Sequence, residues 1–225
     1  MEIASILIVG VGFALGLGHS LDPDHVVAVS TLLCNSTSLR KSVVSAAAWG
    51  AGHSVTLFIV GLLVLALRIA IPENVVRLFE LAAGGMLILL GMLVVKPIVA
   101  SKLHGRGKEA YAQTETQPIN PVESHTHLPK SVFTGVLQGL AGSAALMLVT
   151  LTTVESAAIG LVFILMFGVG VVLGMASIAC VIGSLFAFTS LRLKKVHETI
   201  RAITGLASIG FGVFIIAQAA LQYHF

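Results

Sequence analysis

A chain of 225 residues that is 56% hydrophobic and 10% charged, with mean hydropathy +1.01, is an integral membrane protein; a soluble domain carries about 25% charged residues. The formal charge of +3 does not mark a nucleic-acid binder, because the basic residues lie between apolar runs and not on one polar face. Cys34 and Cys180 both fall within apolar segments, so each reads as a free thiol and no structural disulfide is expected.

Six apolar runs can be matched to the need for about 20 residues per span. In chain order they are 3–34 (interrupted), 43–67, 74–95, 132–152, 157–188 and 203–222. The expected fold is therefore an all-α integral membrane protein with six transmembrane helices, a single domain over 1–225. Glu2 and the lack of a basic leader make the first run a retained helix rather than a cleaved signal. Eleven of the thirteen Lys and Arg residues fall in the first, third and fifth connections. The excess of positive charge on the cytoplasmic side then puts both termini outside and the polar stretch 100–130 in the cytoplasm.

The first run contains His19-Ser20-Leu21-Asp22-Pro23-Asp24-His25. A carboxylate at mid-membrane costs about 2.5–3.5 kcal/mol on insertion scales, so two of them with two imidazoles point to a functional site for a cation. Pro23 lacks an N–H and would leave the His19 carbonyl without its helical partner, while Asp22, preceding proline, is pushed to extended angles. The first helix is expected to break at Asp22-Pro23, where free carbonyls can join the side chains as ligands. Spacing alone does not choose between Asp22 and Asp24. Imidazole with carboxylate suits Ni, Co, Zn or Cu, whereas Mg and Ca take oxygen shells. Only neutral imidazole ligates, so affinity should fall as pH drops through the imidazole range.

The second run repeats Gly-His-Ser at 52–54 after 18–20, which makes His53 a further ligand candidate. In the third run Glu80 stands three residues after Arg77, the spacing of a surface ion pair. His104, His125 and His127 in the polar stretch could hold metal at a cytoplasmic exit, while His197 and His224 read as interfacial. Gln138 in the fourth run suits either a helix-to-helix hydrogen bond or a site lining. Trp49-Gly50-Ala51-Gly52-His53 matches Phe167-Gly168-Val169-Gly170-Val171, and 16–19 matches 139–142, which together suggest a 3+3 inverted repeat.

His19, Asp24 and His25 reproduce the H-x4-D-H signature of the nickel/cobalt permease family, and Gly52-His53-Ser54 resembles its second signature. Gln138-Gly139-Leu140-Ala141-Gly142-Ser143-Ala144-Ala145, with 167–170 and 173–175, resembles the short six-span branch found among urease accessory membrane proteins. The resemblance implies handling of Ni2+ or Co2+ as substrate. It carries a metal role onto His19, Asp24 and His25, and more loosely onto His53; Asp22 joins the set by position. The resulting expectation is a secondary permease, importing, with no enzymatic activity and no resident cofactor. No phosphate-binding G-x-x-x-x-G-K-[ST] motor is present in the chain. Its partners are the divalent ion and the lipid bilayer. The alternatives are an exporter, or an accessory membrane subunit delivering metal to a metallochaperone or metalloenzyme-maturation partner. More remote is an intramembrane acyltransferase, in which His19 would be the base and Asp24 its orienting group at H-x4-D spacing.

Overall fold

The computed structural model describes residues 3–36, 38–67, 71–103, 127–153 and 156–221. Among them the chain forms seven helices: α1 (Ile3–His19), α2 (Pro23–Leu33), α3 (Leu39–Leu67), α4 (Glu73–Leu103), α5 (His127–Thr153), α6 (Ala157–Arg192) and α7 (Lys194–Leu221). The all-α membrane class holds, but the expected count of six helices is corrected to seven. Run 3–34, expected as one helix broken at Asp22-Pro23, forms two helices, α1 and α2. The polar stretch is also shorter than expected, since α4 continues to Leu103 and α5 begins at His127. His104, His125 and His224 lie outside the described residues.

The division of the first run follows from local chemistry. After α1 the chain tightens through Leu21 N to Gly18 O at 2.9 Å and Asp22 N to His19 O at 3.0 Å. Asp22 then adopts φ −58°, ψ 142°, the extended conformation that a following proline favours. Pro23 opens α2 at a position whose N–H would have no helical acceptor anyway, so the ring costs nothing there. The His19 carbonyl is consequently not left free. The Asp22 amide takes it, a short turn having replaced the lost helical bond.

Among the described residues four helical stretches are long and apolar enough to cross a bilayer: Leu39–Leu67, Glu73–Ala100, Ala157–Arg192 and Lys194–Leu221. Large apolar side chains such as Leu63, Leu93 and Leu206 cover their outer faces, where acyl chains would meet them. α3 packs between α5 and α6, α1 lies along α6, and α4 pairs with α7; α2 touches α4, α6 and α7. Small residues permit the close approaches, as is usual where lipid supplies no hydrophobic drive between helices. Gly16 of α1 lies against the Phe167 backbone, and Gly135 of α5 against the Trp49 carbonyl. Gly84 and Gly91 of α4 meet Gly212 and Gly205 of α7. Beside that last contact Ser208 Oγ donates to the Leu87 carbonyl at 2.7 Å.

Candidate metal centre

The break between α1 and α2 puts His19 at the end of one helix and His25 in the first turn of the next. His53 comes from the middle of α3. The three rings converge, with centroids 4.5 Å apart for His19 and His25, 5.0 Å for His25 and His53, and 5.3 Å for His19 and His53. One ligating nitrogen from each lies within 4.8 Å of the others. Two nitrogens about 2.1 Å from a tetrahedral ion are about 3.4 Å apart, so shifts of under about 1 Å per ring would bring them to bonding distance.

The carboxylates sit behind the rings. His19 Nδ1 donates to Asp22 Oδ2 at 2.7 Å, and His25 Nδ1 to Asp24 Oδ1 at 3.0 Å. Each bond fixes a tautomer in which Nε2 is left with its lone pair, the arrangement that raises ligand basicity in carboxylate–histidine–metal sites. Asp22 offers no side-chain cap to α2 because its carboxylate is spent on His19. Asp24 lies in the first turn of α2, where the helix dipole favours negative charge. Asp22, Asp24 and His25 also form a second group with ligating atoms within 4.8 Å of one another.

Burial makes the imidazole nitrogens costly. His25 is 1% exposed and His53 fully buried. His25 Nε2 and both nitrogens of His53 have no hydrogen-bond partner among the described residues. Each such atom costs about 1–3 kcal/mol unless something binds it. Three unpaired nitrogens on two neighbouring buried rings are an expensive way to build a core and an economical way to build a ligand set.

All five residues expected from the sequence as metal ligands (His19, Asp22, Asp24, His25 and His53) are therefore brought together. Three neighbours complete the setting. Gln138 of α5 donates Nε2 to Asp24 Oδ2 at 2.8 Å, so it both links helices and supports the site. Gly139 lets α5 close on α3: an added Cβ would stand 2.7 Å from the His53 carbonyl. The rings of Trp49 and Phe167 flank His25 and His19 at 5.5 and 5.3 Å. Sequence reasoning passed over Trp49, although it stands four residues before His53 and so shares its helix face. His197 lies apart, 3.1 Å from Thr189 Oγ1.

The chain is 34% identical to the urease accessory protein UreH of Bacillus sp. (strain TB-90) over 214 residues, which are 94% of this chain and 91% of that one. It is also similar to two Arabidopsis thaliana proteins, Chloroplast protein FOR GROWTH AND FERTILITY 1 and 2. The identities are 27% and 29%, over 91% and 92% of this chain but only 57% and 55% of theirs. No family model matches the chain, and no solved structure matches it. At that identity and coverage the chain belongs to the family of the urease accessory protein UreH.

Proposed function

We propose that this member of the UreH family binds a divalent transition-metal ion, Ni2+ or Co2+, within the bilayer and supplies it to the maturation of a metalloenzyme. His19, His25 and His53 hold the ion, and Asp22 and Asp24 orient the imidazoles and balance its charge. The observation that carries this reading is the convergence of three imidazoles from three helices, two of which, His25 and His53, hold buried nitrogens without partners among the described residues. The name of the UreH relative, accessory to urease, supports delivery to an enzyme over a free-standing activity. Imidazole-rich coordination favours Ni, Co, Zn or Cu over Mg or Ca, and the likeness to nickel/cobalt permeases narrows the choice to the first two.

A second reading, a secondary permease, is favoured by the depth of the centre. A mere docking subunit has no need for three donors buried among membrane-spanning helices. Import of a divalent ion would gain about 4.6 kcal/mol per 100 mV, twice the value for one charge. In this reading both termini face outward and the polar stretch 100–130 faces the cytoplasm, in keeping with the distribution of Lys and Arg. Vesicles containing only this protein and a trapped metal-sensitive dye separate the two readings. Accumulation of Ni2+ or Co2+ marks a permease. Binding by the purified protein without accumulation marks an accessory subunit that needs its partner. Failure to bind either metal in detergent overturns both.

A further inference from the structure

A cavity of about 210 Å3 adjoins the histidine cluster, lined by Asp24 of α2, Glu80 and Ala83 of α4, Ala141 of α5, and Gln218 and Ala219 of α7, among others. It lies where the α4–α7 pair meets α2 and α5. At about 30 Å3 per water molecule, its volume is that of about seven waters. A divalent ion could therefore occupy it with much of its hydration shell.

Its walls have one sign. Asp24 and Glu80 are carboxylates, Gln218 offers an amide, and among the described residues no basic side chain lines the space. A cleft with acidic walls between low-dielectric helices concentrates cations and speeds their arrival. Glu80 stands within a stretch able to span the membrane, where a carboxylate needs a reason to be. The sequence offered Arg77 as that reason; the fold adds a cavity wall. Gln218 is exposed, Glu80 is partly buried, and Asp24 touches His25, so the polar groups are graded from surface to centre.

Asp24 belongs to both places. One of its oxygens accepts from His25 and the other from Gln138, and its side chain remains 27% exposed. Ala83 and Ala219 are almost fully buried, so at these positions the space depends on side chains that stop at Cβ. Just beyond, the backbones of α4 and α7 are in close contact at Gly84 and Gly212. The opening is thus bounded by firm packing and is not a loose seam.

We infer that this cavity is the port through which a divalent cation passes between the surface and the histidines, with Glu80 as its outer acidic stop and Asp24 as its inner one. The inference rests on the metal-binding reading above and assigns that site its access route.

Two measurements on the full-length protein test it. In the first, Co2+ alone is mixed with detergent-purified protein at low salt, and loading is followed through the cobalt absorption band. Ala219→Leu should slow loading tenfold or more, and Glu80→Gln about threefold, the latter difference shrinking at high salt. The end-point absorbance should match wild type in both. Loading at wild-type rates in both variants overturns the port while leaving the centre intact.

The second measurement needs no metal. In a Cys180→Ala background, with Cys34 buried, the thiol of Ala141→Cys, at a half-buried position on the cavity wall, should react several-fold faster with a cationic methanethiosulfonate than with an anionic one. Glu80→Gln should weaken that preference, Asp24 retaining part of it. Equal rates, or no reaction, overturn the port even if the Leu variant fails to fold. Charge-selective labelling in a protein that never binds Co2+ would instead overturn the centre and leave a cation-selective cavity.

Discussion

Gln138 Nε2 donates to Asp24 Oδ2 at 2.8 Å, while the other oxygen of the same carboxylate accepts from His25 Nδ1 at 3.0 Å. One amide on α5 thus fixes the carboxylate that fixes an imidazole on α2, across 114 residues of sequence. The carboxylate cannot turn without breaking one of the two bonds, so the ring of His25 is oriented by a helix it does not belong to.

Loss of that support should weaken binding without abolishing it. Gln138→Leu is expected to lower Co2+ affinity 10–100-fold, the usual effect of removing a group that orients a ligand. Gln138→Asn, which retains the amide on a shorter stem, should recover part of it. Absorption titration of the purified variants measures both. Wild-type affinity in Gln138→Leu would mean that Asp24 holds its place without α5.

His53 is expected to trade stability for binding. His53→Leu removes two buried nitrogens without partners, each costing about 1–3 kcal/mol. The metal-free variant should melt higher in detergent than metal-free wild type, while Co2+ binding disappears. Asp22→Asn should keep binding but lose 10–100-fold in affinity, since it weakens only the support of His19. A lower melting temperature in His53→Leu would mean that its imidazole is held by contacts of its own.

Two glycines only two residues apart, on opposite sides of α1, give a contrast in packing. A Cβ at Gly16 would run into the Phe167 backbone, whereas nothing lies within 4 Å of one at Gly18. Gly16→Ala should destabilise by about 1–3 kcal/mol through forced separation of α1 and α6. It should also weaken metal binding by shifting His19, whose ring packs on Phe167. Gly18→Ala should be neutral or gain up to about 1 kcal/mol from helix propensity. Thermal unfolding of the two variants side by side checks the ordering.

Pro23 holds Asp22 in the extended conformation from which its carboxylate reaches His19. Pro23→Ala lifts that restriction and lets α1 and α2 approach a continuous helix. Continuity would carry His25 away from His19, because six residues on one helix are 1.7 turns. Metal affinity should fall at least tenfold while the melting temperature holds or rises. Unchanged affinity by calorimetry would show that the turn at Ser20–Asp22 persists without the proline.

The candidate cluster was legible because the bilayer penalises its members. His19, Asp22, Asp24, His25 and His53 stood out as costly residues in apolar runs, and the fold collects all five. Pro23 marked the break but not its form: the sequence could not tell that Asp22 N–H would take the His19 carbonyl, so a free carbonyl was expected at the break where a turn closes it. Residue type also could not divide the labour between rings and carboxylates, which depends on the hydrogen bonds of Nδ1. Glu80 was hidden for a different reason. Its neighbour Arg77 supplied a sufficient local explanation, and a cavity between distant helices leaves no periodic trace.

All three histidines lie within the first 53 residues, on α1, α2 and α3, whereas the amide that steadies Asp24 arrives with α5 and the glycine-lined α7 comes last. A ribosome delivering this chain to the membrane would thus release every nitrogen donor before the helices that enclose them exist. During that interval the half-made protein carries imidazoles without its supporting amide or its cavity wall, open to any soft metal at hand. Order of synthesis becomes a selectivity problem. Under the metal-binding reading proposed above, the late helices would serve as a proofreading step, since completing the bundle imposes ring orientations that a wrongly coordinated ion would have to resist.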